Sequence, residues 1–148
     1  MELTASDKLE IMELAAQFEM SLDKEDVENY LAIFTEDGAL QGFWGIAKGK
    51  EELRQGFYAM LDTFARGKRH CSSNAIIRGN ASEATMESYL TVVNRQDLNR
   101  AGSAFVTDRV RKIEGKWYLV LRQIDVDPSL PLLNQVQQSG VQQSGAIA

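Results

Sequence analysis

Residues 69–126 read RHCSSNAIIRGNASEATMESYLTVVNRQDLNRAGSAFVTDRVRKIEGKWYLVLRQIDV. Four strand-length runs lie in this stretch: His70–Arg78, Glu83–Arg95, Ser103–Ile113 and Trp117–Val126, each rich in β-branched and aromatic side chains. Turn signals separate them at Gly79-Asn80, Asn99 to Gly102 and Glu114-Gly115. Connections this short join antiparallel neighbours, because a parallel crossover needs about a dozen residues. The stretch therefore predicts an antiparallel meander. Trp117-Tyr118-Leu119-Val120-Leu121 is apolar on both of its faces, so both sides of the sheet are expected to be covered there.

The pattern upstream is helical. Ile11, Leu14, Ala15, Phe18 and Leu22 recur at i, i+3, i+4, i+7 and i+11 behind a candidate N-cap at Ser6-Asp7. After a break at Asp23-Lys24, Val27, Tyr30, Leu31 and Phe34 predict a second, shorter helix that stops before Gly38. Ala39 to Trp44 reads as a short strand with bends at Gly42 and Gly45. A third helix follows Lys50, with Leu53, Phe57, Met60, Leu61 and Phe64 on one face and Gly67 as its stop. Helices first and a meander afterwards is the order of an α+β fold. Three helices cover one side of a sheet; a second copy of the chain is the economical cover for the other, so a homodimer through the sheet face is expected.

A chain of 148 residues is the size of one domain. Pro128 and Pro131 end the sheet, which gives a domain over 1–127 and a Gln/Ser/Gly-rich tail over 128–148. In that tail VQQSG occurs twice, at 136–140 and 141–145. Leu132, Leu133 and Val136 are candidates to anchor it. Sixteen basic residues against twenty-one acidic leave a charge of −5, which disfavours nucleic acid and anionic membranes as partners. One cysteine and one histidine exclude a disulfide framework and the usual zinc clusters, and no metal is expected. No run reaches the ~20 apolar residues of a membrane helix. Lys8 and Glu10 precede any apolar run, so no signal peptide is expected and a cytoplasmic location is.

Among groups that could carry chemistry, His70 is the sole histidine, the side chain whose ordinary titration lies nearest neutral pH. It reads either as a base or as a structural residue at a strand start. Asp23 reads either as the N-cap of the second helix or as a partner for another group. Cys71 points to the opposite strand face from His70 and reads as a small buried residue. Arg66, Lys68 and Arg69 read as a solvated basic turn, and Asp108 with Arg122 as a structural pair between neighbouring strands. No GxGxxG, Walker loop or GxSxG elbow is present.

The ordered set Leu22-Asp23-Lys24, Tyr30 through Ala39, Gly49-Lys50-Glu51-Glu52-Leu53, Arg69-His70, Ala84-Thr85 through Tyr89-Leu90, Thr107-Asp108-Arg109 and Gly115-Lys116-Trp117-Tyr118 resembles the nuclear transport factor 2-like superfamily in its SnoaL-like branch. The resemblance covers roughly residues 5 to 127. It implies a curved antiparallel sheet packed on three N-terminal helices, cone-shaped around an internal cavity. Asp23 and His70 match the positions of an Asp–His pair in scytalone dehydratase and lindane dehydrochlorinase. By that resemblance they form a dyad in a cofactor-independent lyase or isomerase acting on a small hydrophobic or cyclic substrate.

The resemblance also makes Phe18, Tyr30, Phe34, Trp44, Phe57 and Met60 candidate lining residues from the helical side, and Asn74, Tyr89, Phe105 and Arg122 candidates from the sheet. Departures accompany the matches. Leu22 stands where scytalone dehydratase has a tyrosine, its second histidine has no counterpart here, and Phe18, Gln41 and Gly42 stand where a steroid isomerase needs its tyrosine and acid. The β-subunits of ring-hydroxylating dioxygenases are similar too, and imply the alternative of a non-catalytic binding or assembly module.

Overall fold

A computed structural model describes residues 1–128; the repeats and the proposed anchors Leu132, Leu133 and Val136 lie outside the described residues. The elements in chain order are α1 (Ala5–Asp23), α2 (Val27–Ala32), β1 (Phe34–Gly42), β2 (Gly45–Lys48), α3 (Lys50–Met60), a π-helical turn (Leu61–Ala65), β3 (Lys68–Gly79), β4 (Glu83–Asn94), β5 (Arg100–Ile113) and β6 (Lys116–Val126). The strands form one sheet of six in the order β2-β1-β6-β5-β4-β3. The α+β class and the meander β3–β6 are as the sequence predicts.

Three local expectations give way. Helix α1 is capped by Thr4, two residues before the predicted cap. The Thr4 hydroxyl accepts from the Asp7 N–H at 3.0 Å while the Asp7 carboxylate accepts from the Thr4 N–H at 2.9 Å, a reciprocal capping box. Asp7 then reaches the sheet, accepting from Trp117 Nε1 at 2.9 Å and Lys112 Nζ at 2.8 Å. Phe34 does not extend the second helix. That helix ends at Ala32, where the Lys50 ammonium donates to the carbonyls of Leu31 at 2.5 Å and Phe34 at 2.9 Å and so caps its C-terminus. Phe34 instead opens β1, which pairs parallel with β6, Phe34 opposite Leu119, so the sheet is mixed and not wholly antiparallel.

The helices lie on one face. The rings of Phe18, Tyr30, Phe34 and Phe57 pack there with centroids 4.8 to 6.3 Å apart. Register shifts between Ser73 and Ile76 in β3, and between Phe34 and Ala39 in β1, are bulges that bend the strands and curve the sheet. Asn74 sits in the first bulge with φ +59°. The opposite face of the sheet is open: Ile76, Tyr89, Phe105 and Ile113 are exposed on the chain. Cys71 is exposed as well, because strand alternation turns it away from the helices when His70 faces them, so the expectation of a buried cysteine fails. Along β6, Trp117 and Leu119 are buried while Tyr118 and Val120 are half-buried, so within the described chain the helices cover one of its two apolar faces.

Candidate active site

Strand β3 is an edge, paired only with β4, and its free side presents backbone N–H groups that need acceptors. Helix α1 supplies them. The Asp23 Oδ2 accepts from the His70 N–H at 3.1 Å, and the Glu19 Oε2 accepts from the Ser72 N–H at 3.1 Å. The spacing follows from element geometry. Four residues of helix rise ~6 Å and two residues of strand ~6.6 Å, so carboxylates at i and i+4 meet amides two apart.

Each carboxylate has a second oxygen, and the two are used differently. Asp23 Oδ1 meets His70 Nδ1 at 2.5 Å, with only 3% and 9% of the two side chains exposed. Glu19 Oε1 takes the Ser72 hydroxyl and, at 3.0 Å, Arg122 Nη2. The sequence left Asp23 between helix cap and chemical partner. The cap of α2 is Asp26, which accepts from the Asn29 N–H at 3.2 Å. Asp23 instead closes α1 and holds both the backbone and the ring of His70.

With Nδ1 engaged by Asp23, Nε2 is the ring nitrogen left for a ligand; it makes no hydrogen bond among the described residues. His70 lines an apolar cavity of about 60 Å³ that is open to solvent on one side. Phe18, Met60 and Phe64 from the helical side and Phe43 and Trp44 from the β1–β2 turn form one wall, and Leu90, Val92 and Ile124 the sheet wall. Phe43, Trp44 and Phe64 stack on one another with centroids 5.0 to 5.6 Å apart. Trp44 folds back over Gly42 in the β1–β2 turn, where an added Cβ would lie 2.4 Å from the indole. Lys68, His70 and Ser103, with the indole N–H of Trp44, carry the polar side-chain groups among the lining residues.

The expected lining residues divide into three groups. Phe18, Trp44 and Met60 do line the cavity. Tyr30, Phe34 and Phe57 are fully buried in the core and do not line this cavity. Asn74, Tyr89 and Phe105 lie elsewhere: Asn74 borders a groove between α1 and β3, and Tyr89 and Phe105 meet at 6.3 Å on the open sheet face. Phe43, Phe64 and Lys68 were missed. Phe43 adjoins a tryptophan between two glycines, and Phe64 lay on the predicted helical face, so both had a signal in the sequence. Lys68 read as part of a solvated turn. Arg66 fits that reading, pairing at the surface with Asp62 at 2.8 Å and Glu25 at 3.2 Å, but Lys68 is half-buried against the cavity.

Arg122 is a scaffold residue and lines no cavity wall. Fully buried, its guanidinium donates to Asp108 Oδ2 at 3.0 Å and Glu19 Oε1 at 3.0 Å, and lies 4.4 Å from the Phe18 ring centroid. The Asp108–Arg122 pair expected between neighbouring strands is therefore present, extended by Glu19 to α1. Burial pushes the Asp108 carboxyl up to about 6; Arg122 opposes this and the Glu19 charge adds to it. Burial likewise raises the Tyr30 hydroxyl, against the pull of Arg122. No three His, Cys, Asp or Glu side chains converge as metal ligands among the described residues.

Comparisons with known proteins agree with this architecture. The model of the SnoaL-like domain matches residues 3–123. A crystal structure from Nostoc punctiforme PCC 73102, of a protein of unknown function with a cystatin-like fold, is 89% identical over 89% of this chain and 99% of that one, with a TM-score of 0.88. Two structures from Novosphingobium aromaticivorans share the fold. A protein described provisionally as a scytalone dehydratase is 23% identical over 83% of this chain and 85% of its own, TM-score 0.71. One described provisionally as an aromatic ring hydroxylase is 21% identical over 86% and 94%, TM-score 0.72. No curated protein matches the sequence. With its fold, strand order and most of its length accounted for, the chain belongs to the SnoaL-like domain family.

Proposed function

We propose that the protein is a cofactor-independent lyase or isomerase in which His70, oriented by Asp23, removes a proton from carbon in a small hydrophobic substrate. The observation that carries this reading is the 2.5 Å contact between His70 Nδ1 and Asp23 Oδ1 in a histidine that also lines an apolar cavity. Asp23 fixes the tautomer with the proton on Nδ1 and the lone pair on Nε2, and stabilises the imidazolium that forms. Because Asp23 also holds the His70 backbone N–H, the carboxylate and the ring it orients move together. The apolar wall excludes water and strengthens that pairing.

A nitrobenzisoxazole tests the base without knowledge of the natural substrate. A base takes its ring C–H proton, the freed electron pair forms a nitrile, and the N–O bond opens to a coloured phenolate. His70→Ala is expected to lower this turnover by about 10²-fold or more, and Asp23→Asn to lower it with the fold intact. Unchanged rates in both variants would leave Asp23 as a clamp on the sheet edge and the protein as a non-catalytic binding module.

The open sheet face supports a second part of the reading. Tyr89 and Phe105, 54% and 37% exposed, sit at its centre beside Ile76, and a second copy of the chain covers them in a homodimer.

A further inference from the structure

We propose that Lys68 is the anion-recognising group of the cavity, and that the ligand is a small apolar molecule with one oxygen that carries or develops negative charge. The proposal deepens the reading of the same site. Of the polar side chains on the wall, His70 is engaged by Asp23 at Nδ1, and the Ser103 hydroxyl donates to Asp127 at 2.6 Å. Lys68 is the wall's remaining charged side chain, the Trp44 indole N–H being a neutral donor, and its ammonium makes no hydrogen bond or ion pair among the described residues. Its neighbours in the basic turn are otherwise placed: Arg66 is paired with Asp62 and Glu25, and Arg69 is exposed on the alternate face of β3.

Strand geometry brings the cation and the base to one substrate. Lys68 and His70 are two residues apart on β3, so their side chains leave the same face with Cα atoms ~6.6 Å apart. That separation suits a ligand whose acidic carbon lies against Nε2 while an oxygen bonded to the next carbon lies against the ammonium. When the C–H bond breaks, its proton goes to Nε2 and its electron pair forms a carbon–carbon double bond. The carbonyl π pair moves onto oxygen, where the Lys68 charge stabilises it. Where the ligand is a β,γ-unsaturated carbonyl compound the anion is a dienolate, and return of the proton from Nε2 to its γ-carbon restores the carbonyl and moves the carbon–carbon double bond into conjugation, with no co-reactant. In a wall that is otherwise apolar, such a charge-assisted contact is stronger than in water.

Equilibrium binding of para-nitrophenol, read by the absorbance that separates phenol from phenolate, tests the proposal independently of turnover. The wild-type protein is expected to bind the phenolate about tenfold more tightly than the phenol, so that the bound ligand ionises at lower pH than the free one. Lys68→Met keeps the length of the stem and is expected to abolish that preference, Lys68→Arg to retain it, and His70→Ala to retain it. Equal preference in Lys68→Met and wild type would overturn the proposal and place the ammonium in solvent. Loss in His70→Ala but not in Lys68→Met would overturn it in favour of the imidazolium, and absence of any wild-type preference would overturn it outright. Failure of the base chemistry shows instead as nitrobenzisoxazole turnover that does not depend on His70.

Discussion

The Asp23 carboxylate closes two gaps with its two oxygens, a bare amide on the edge of β3 and the ring of His70. Glu19, one turn earlier, makes the same contact to the strand without a histidine, so the two positions separate structure from chemistry. Glu19→Gln is expected to lower the melting temperature and leave nitrobenzisoxazole turnover per folded protein nearly unchanged, whereas Asp23→Asn lowers turnover. Two other aspartates predict opposite pH limbs. The hydrogen bond from Lys112, helped by Thr4 and Trp117, holds Asp7 well below the usual carboxylate range. Its stabilisation is present above about pH 4 and is lost as pH falls below that. Asp108, raised from 3.8 to about 6, binds a proton in the folded state that the unfolded chain has released, so its contribution falls as pH rises through that window. Melting temperatures across pH should show a flattened acid limb in Asp7→Asn, and in Asp108→Asn the loss of the decline between about 4 and 6.

Among the elements, helix α1 organises the site, joined to the sheet at both ends. Its N-terminal capping box anchors it to β5 and β6 through Asp7, and its last two turns clamp β3. Thr4→Ala should cost ~1 kcal/mol in denaturant unfolding. The β1–β2 turn supplies Phe43 and Trp44 to the cavity wall. A Cβ at Gly42 would overlap the Trp44 ring, so Gly42→Ala should expel the indole, shift tryptophan fluorescence to the red and weaken nitrophenol binding. Most element types were legible in the sequence because apolar spacing sets them; strand β2, the π-helical turn after α3 and several boundaries were not. Phe34 satisfies the helical pattern of α2 as well as the strand pattern of β1. What decides between them is the Lys50 ammonium on the Leu31 and Phe34 carbonyls, a contact from 16 and 19 residues away.

At the scale of the whole molecule, the proposed homodimer makes its prediction on the open sheet face. Sedimentation should report a homodimer, and Tyr89→Asp with Phe105→Asp should yield a folded monomer, since both side chains lie outside the core. No helix among the described residues is long and apolar enough to cross a membrane. Register shifts interrupt β1 and β3, where bulges bend the strands, and the helices cover one face of the sheet.

Local periodicity and turn chemistry alone determined the α+β class, the three helices and the four-strand meander. Those features depend on residues within a few positions of one another, and spacing along the chain carries that information directly. The pairing of His70 with Asp23 was implied only by family resemblance. The tertiary structure decided the parallel pairing of β1 with β6 and the choice of Asp26 over Asp23 as helix cap. It also placed Tyr30, Phe57 and Arg122 in the core and Phe43, Phe64 and Lys68 on the cavity. The cap itself is a local contact from Asn29. The release of Asp23 to His70 and the other outcomes turn on which side chain meets which backbone or ring far along the sequence, as Lys50 meets Phe34 across 16 positions and Asp7 meets Trp117 across 110. A one-dimensional pattern has no term for such meetings.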